Sequence, residues 1–337
     1  MASRAGKRPK KAPHKPFFAG WARQSLEPRG LVWAVGCLLL AALVGRFDGT
    51  FWLGLMVNEL AFQLSLVALS VGAFAGWRRA WIALTACGAL ASWWGLPAAS
   101  LARSTRPTPT TGPTLRVLAA HLGAPNLEPA ALLTELVSHK VDVALLSADD
   151  AATLATLEGA PNLRNYRVLH GSADAAPWAL FVRSELSVNP RARAGKGGAA
   201  HAELRVNQCT LRVQPLSVPS LFSYGARGLR AQRLRALQKQ PGDARGIWLG
   251  HLGSSPDAAD VRGLVEAQDL RDGRTGYGRM SSSPAALGML GVPNEQLLIR
   301  GWLRVTAMEM DAPLAAQAQR TLRATLEFTE PACRGRP

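Results

Sequence analysis

Five residues carry the side chains most able to do chemistry where they stand: His121, Asp149, His251, Glu295 and Gln296. His251 lies in GIWLGHLGSSP at 246–256, an apolar run that stops at the histidine and passes into a Gly/Ser loop. His121 ends LRVLAAHL in the same way, Asp149 follows VDVALLS, and Glu295–Gln296 open EQLLIR. Strand ends in open α/β sheets are where such folds place ligands and catalytic groups. Imidazoles beside carboxylates could hold a zinc or copper ion or move a proton. No CxxC and no Cys/His cluster at zinc spacing accompanies them.

The elements that must position these residues follow from the apolar pattern. Strand-like runs lie at 115–122, 141–147, 166–171, 178–184, 202–206, 209–216 and 246–251, with EQLLIRGWLRVTAMEM and RTLRATLEF closing the set. Helical spacing occupies 129–140, 225–240 and 257–270. This alternation of βαβ units with successive strands predicts an α/β sandwich of two mixed β-sheets flanked by helices over 114–328. His139 and Lys140 end the first of these helices, where a cationic group suits the dipole. His170 and His201 have no identifiable partners in the sequence and are expected at the surface or at strand ends.

Upstream, residues 31–102 are mostly apolar and broken by few charges, which predicts three transmembrane helices at about 30–46, 50–77 and 80–101. Phe51 to Asn58 are expected at the outer interface with Glu59 marking the helix entrance, and Trp33, Trp52, Trp77, Trp81, Trp93 and Trp94 suit interfacial anchoring. Residues 1–29 form a Pro/Lys/Arg tail expected to be disordered, and 102–113 a Pro/Thr linker; 329–337 is a second tail. Basic residues in the first tail and at Arg78–Arg79 predict a cytoplasmic N-terminus. With three spans, the C-terminal domain is then extracytoplasmic and the protein a multi-pass component of the inner (plasma) membrane.

The net charge of +16 is shared between that tail, the short loops and the C-terminal domain. The expected partner for the tail is therefore the lipid bilayer, with anionic lipid at its surface. Arg227, Arg230, Arg233, Arg235 and Lys239 on one helix, and RARAGKGG at 191–198, read as solvated faces; without interleaved aromatics, no nucleic-acid partner is expected. Nothing in the sequence specifies a protein partner. Cys37 and Cys87 fall within the spans, while Cys209 and Cys333 share the outer compartment. There Cys209 and Cys333 could pair as a disulfide; the alternative is a buried strand thiol at Cys209 and a free Cys333 in the tail.

The order and spacing of elements from 114 to 328 resemble the endonuclease/exonuclease/phosphatase superfamily, metal-dependent phosphodiesterases that use Mg or Mn. The resemblance lies in pattern; the signature side chains differ. His121 stands where the family has an asparagine, Ala148 for the metal-binding glutamate, and Pro215 for a histidine. His251 and Gly253 replace the aspartate and asparagine of a Gly-Asp-x-Asn loop; Glu295–Gln296 and Ala318–Gln319 replace two Asp-His pairs. The resemblance thus implies a substituted site, no metal cofactor, and a domain that binds or supports instead of hydrolysing. The alternative is a rebuilt metal site on His121, His251 and Glu295, with Asp149 as a further carboxylate.

Overall fold

The computed structural model describes residues 28–48, 52–108, 112–123, 129–149, 151–158, 163, 165–171, 177–189, 201–206, 209–220, 224–240, 245–256, 258–313 and 319–329. The basic tail before residue 28, the loop at 191–198, Ala318, Cys333 and the end of the second tail lie outside the described residues.

Period-2 alternation builds the C-terminal domain. In β1 (Thr114–Leu122), Leu115, Val117 and Ala119 point toward the second sheet, while Leu118, Ala120 and Leu122 point outward. β2 (Val143–Ala148) and β4 (Trp178–Arg183) alternate likewise, and β3 (Tyr166–Gly171) flanks β4. One six-stranded sheet has the order β11-β12-β1-β2-β4-β3, with β11 at Leu303–Pro313 and β12 at Arg320–Phe328. The other has the order β5-β6-β7-β8-β10-β9, from Ser187–Asn189, Ala202–Val206, Cys209–Ser217, Gly246–His251, Glu295–Arg300 and Arg271–Asp272 respectively. β1 runs parallel to β2 and β7 parallel to β8; the other pairings are antiparallel. The inward faces make one continuous core that includes Leu145, Leu180, Leu211, Ile247, Leu249 and Leu297.

Helices cover both outer faces. The outward residues of the first sheet pack with Leu136, Leu154 and Leu157, and those of the second with Leu234, Leu237, Val261 and Leu264. This is the two-sheet α/β architecture expected from the sequence. One reading changes: the stretch 295–310 is two strands in different sheets. At Gly301 (φ 76°) the chain turns from β10 into β11. The positive φ suits a residue without a Cβ. Cys209 is buried in the inter-sheet core and is disulfide-bonded; Cys37 and Cys87 are free thiols.

Four helices precede the domain: α1 (Pro28–Gly45), α2 (Trp52–Glu59), α3 (Ala61–Trp77) and α4 (Trp81–Arg103). They correct the expectation of three spans. Among the described residues, α4 alone is long and apolar enough to cross a membrane, and the count rises to two if α2 and α3 form one broken span. α2 and α3 meet at a 70° bend, so 50–77 is no straight helix, and α1 falls short of the ~20 residues a hydrocarbon core requires. The reason for the bend lies in the domain. Glu59 is 1% exposed, and both its carboxylate oxygens accept from the Ser255 N–H, at 2.7 and 2.8 Å. Asp48 pairs with Arg262 at 2.8 Å, Gln63 Nε2 donates to the Leu290 carbonyl, and the Arg279 guanidinium lies 4.5 Å from the Phe62 ring centre. α2 thus docks on the domain, and the chain turns at Leu60 into α3.

α3 and α4 pack through small residues. Ser65, Ala68, Gly72 and Ala75 form a buried stripe, and a Cβ at Gly72 would stand 3.1 Å from the Cys87 Cβ. Close backbone approach through small side chains is how apolar helices associate where no hydrophobic force drives them together. Their outer faces leave Trp77, Trp81 and Ile82 exposed, the last at 89%.

Candidate functional site

The same alternation that fills the core places the polar residues. Continuing the inward parity of β1, β2, β7, β8 and β10 brings His121, Ser147, Ser217, His251 and Glu295 onto the inter-sheet face, at one end of the sandwich. That end is the carboxyl edge of both parallel pairs. Strand register sets the neighbours: His121 lies opposite Ser147, while Ser217 and Glu295 lie opposite His251 on its two sides. A polar layer therefore caps the apolar core, built by two sheets that share no ladder.

The two imidazoles meet across this layer. The rings of His121 and His251 stack with centroids 4.0 Å apart and planes 21° apart. His121 Nδ1 is 3.0 Å from Ser147 Oγ, and its Nε2 is 3.3 Å from Asp149 Oδ1. His251 Nδ1 is 3.1 Å from Glu295 Oε1. Burial, and then the neighbouring His121, push the His251 pKa below the usual imidazole value, against the opposing pull of Glu295. The His121 hydrogen bond lowers the Asp149 pKa, partly offset by desolvation. A neutral His251 donates Nδ1–H to the Glu295 carboxylate, which leaves Nε2 as an acceptor.

This geometry does not fit a metal. Lone pairs on imidazole lie in the ring plane, so two stacked, nearly parallel rings aim them side by side and cannot converge on one ion about 2.0–2.1 Å from each. Asp149 and Glu295 sit on different histidines, and Ala148 offers no ligand. Among the described residues no three His, Cys, Asp or Glu side chains are grouped to hold a metal ion. A Mg or Mn ion of the kind the family resemblance implies therefore lacks its donor set here, and a zinc site on His121, His251 and Glu295 is not formed.

A cavity of 760 Å³ opens above the histidines. His121, Ala148, Asp149, His251 and Gln319 line it. Glu295 lies behind His251, and Pro215, Gly253 and Gln296 also stand outside the lining. Pro215 pairs with Leu249 inside the sheet, and the strand runs two residues further, so Ser217 holds the strand-end position. Gln296 points to the outer face, donating to the carbonyls of Pro293 and Ser254 at 2.6 and 3.2 Å. Gly253 adopts φ 59° in the loop beneath, packed against Ser220. Sequence reasoning missed Ser147, Ser217 and Asn294, although strand parity marks the first two. It also missed Leu60 and Gln63, which reach the cavity from the helical segment and carry no local signal of doing so.

Arg230, expected on a solvated helix face, is 3% exposed. Its guanidinium holds Asp260 Oδ2 through two nitrogens at 2.9 and 2.7 Å, and also binds the Pro219 and Leu252 carbonyls and Ser254 Oγ. It thereby fixes the loop that follows His251. His139 has more than the helix dipole for company, lying 3.2 Å from Glu135 and bonded to Arg323.

The stack has a consequence for pH. Because the folded-state pKa of His251 lies below its unfolded value of 6.5, the unfolded chain binds the extra proton first. Its contribution is complete at neutral pH and is lost as pH falls below about 6.5 toward the folded value. Asp311, raised to about 6 chiefly by burial, acts in the opposite sense: it lowers stability progressively as pH rises from about 4 to 6. The difference between wild type and His251→Gln isolates the histidine. Melting temperatures between pH 7 and pH 5 should fall less in the variant; parallel curves would refute the assignment.

Fold and site together define a two-sheet α/β domain with a ligand-sized cleft at its strand ends, carried on apolar helices. No protein-family model matches the chain, and no curated protein does. Among solved structures, it is similar to a humanized Danio rerio TDP2 at 16% identity, over 65% of this chain and 100% of that one, with a TM-score of 0.49. It is similar to the endonuclease domain of TRAS1, a telomere-specific non-LTR retrotransposon, at 14% identity over 65% and 100%, TM-score 0.49. A further match is the endonuclease/exonuclease/phosphatase from Bacteroides vulgatus, at 12% over 64% and 99%, TM-score 0.47.

Proposed function

We infer that the protein is membrane-integrated and presents a domain of endonuclease/exonuclease/phosphatase type that binds a ligand in its cleft without hydrolysing phosphoesters. The observation that carries this reading is the use to which the cleft's ionisable groups are put. Asp149 and Glu295 are each engaged by one histidine, and the histidines by each other, so among the described residues no set of oxygens faces a common ion. Phosphoryl chemistry of the metal-assisted kind needs such a set to stabilise charge on the transferring group.

The exposed apolar faces of α3 and α4, their small-residue packing and the basic N-terminal tail support integration in the inner membrane with that tail cytoplasmic. A disulfide at Cys209 supports an oxidising, extracytoplasmic location for the domain.

The test is a turnover assay on the full chain in lipid nanodiscs, with Mg²⁺ or Mn²⁺ and both phosphodiester and phosphomonoester substrates. The expected rate equals that of empty nanodiscs. Turnover that disappears in His251→Ala or Glu295→Ala would overturn the reading.

A further inference from the structure

The helical segment and the domain enclose a second cavity, of 670 Å³, apart from the strand-end cleft. The end of α1 and the turn after it supply Arg46 and Asp48, the last turns of α4 supply Trp93 and Leu96, and the domain supplies Arg262. Short contacts hold these groups together. Asp48 Oδ2 accepts from Arg262 at 2.8 Å and from Asn58 Nδ2 at 2.7 Å, and the same Asn58 nitrogen donates to the Gly45 carbonyl at 3.1 Å. The carboxylate is thereby neutralised, while the Arg262 side chain stays 49% exposed.

Arg46 supplies the unmatched charge. It is exposed, its guanidinium carbon lies 5.4 Å from the Trp93 ring centre, and among the described residues it pairs with no carboxylate. The residues that follow the turn at 49–51 are Gly, Thr and Phe, which bring no charge. A cation over an aromatic ring is held by the ring's quadrupole and not by hydrogen bonds, so the N–H donors of Arg46 remain available. Two guanidinium groups beside one neutralised carboxylate make a receptor for an anion, and phosphate oxygens match the guanidinium fork. The same contact disfavours a headgroup that ends in a cation. Trp93 offers the ring face that would hold a quaternary ammonium, and a positive charge already occupies it.

Place selects the source of the anion. The cavity lies at the domain end of α1 and α4, and Trp93 and Leu96 in its wall, with Leu43 and Phe47 flanking Arg46, are exposed apolar side chains. A free phosphate covers none of that surface; a phosphate that carries acyl chains does.

Resting on the reading of the chain as membrane-integrated, we propose that this cavity holds the phosphate of an anionic phospholipid from the leaflet that faces the domain, with Arg46 and Arg262 on the phosphate and the acyl chains along Trp93 and Leu96. Arg262 is the domain's side of the contact with Asp48, so the bound lipid bridges the helical segment to the domain. The site is separate from the basic N-terminal tail, which meets the opposite leaflet in that reading.

The experiment is native mass spectrometry of the full chain in detergent micelles, titrated with phosphatidylglycerol or phosphatidylcholine. Phosphatidylglycerol should bind saturably and about tenfold more tightly than phosphatidylcholine, the worth of one charge-assisted contact. Arg46→Gln, at an exposed position that leaves folding intact, should remove that preference, whereas Arg78→Gln/Arg79→Gln, at the far turn between α3 and α4, should bind as wild type. Asp48→Asn should strengthen binding severalfold, because it removes the negative charge beside the phosphate and releases Arg262; a role in folding alone predicts no gain. Glycerol 3-phosphate, the same phosphate without chains, should not displace the lipid. Equal affinity for the two lipids would overturn the proposal, as would an unchanged preference in Arg46→Gln or weaker binding in an Asp48→Asn chain of normal melting temperature. Displacement by glycerol 3-phosphate would also overturn it, assigning the cavity to a soluble phosphoester. Alkaline carbonate extraction reports on the parent reading alone: a chain released from membranes refutes integration, and a retained chain without lipid preference refutes this site only.

Discussion

Arg230→Ala is expected to cost about 3–5 kcal/mol, the largest loss of any single substitution near the cleft. The guanidinium is almost fully buried and meets a carboxylate, two carbonyls and a hydroxyl. Removal leaves Asp260 without its cation and the Pro219 and Leu252 carbonyls without donors, in a place water reaches poorly. Lysine does not rescue: its three donors leave a single nitrogen and cannot span the fork that Arg230 throws across the loop. Thermal unfolding in nanodiscs should show a fall on the order of 10 °C for alanine and a similar one for lysine. A shift within a degree or two would mean that the loop after His251 is held by other contacts. Glu59 on Ser255 is the second support of that loop, so the double variant Arg230→Ala/Glu59→Gln should show losses that fail to add.

Gly253→Asn is expected to destabilise the domain by about 2 kcal/mol and to confer no phosphoesterase activity. Backbone conformation is not the obstacle, since asparagine tolerates φ 59° better than most residues. Space is. A Cβ at Gly253 would stand 2.5 Å from the Ser220 Cα and 2.9 Å from its nitrogen, both backbone atoms, and 3.2 Å from His251 Nε2. Either the segment at 218–220 retreats or the loop lifts, and the second disturbs the contacts of Arg230. The loop is packed closely around the glycine. An unchanged melting temperature for Gly253→Asn, or metal-dependent turnover in that variant, would contradict this account.

Much of the fold was legible because alternation is a local property. Leu115, Val117 and Ala119 announce one face of β1 and Leu118 and Ala120 the other, whatever they end up packing on. The turn at Gly301 was not legible in the same way. EQLLIRGWLRVTAMEM is apolar enough throughout to read as one strand, and only the need of β10 and β11 to serve different sheets breaks it. The helical segment shows the converse limit. Hydropathy marks 50–77 as one span, but the buried Glu59 draws α2 onto the domain and forces the 70° bend. A hydropathy count has no term for a carboxylate satisfied by a backbone N–H almost two hundred residues away.

The sequence by itself determined which residues stand at strand ends and that an apolar helical segment precedes the domain. Those are matters of composition and period, fixed along the chain. The tertiary structure alone decided that His121 and His251 stack instead of converging, that Asp149 and Glu295 are divided between them, and that Leu60 and Gln63 complete the cleft from outside the domain. The physical reason is that ring orientation depends on the distance and twist between two sheets joined by no hydrogen-bond ladder. Packing of side chains from both halves sets that quantity, and no stretch of one strand encodes it.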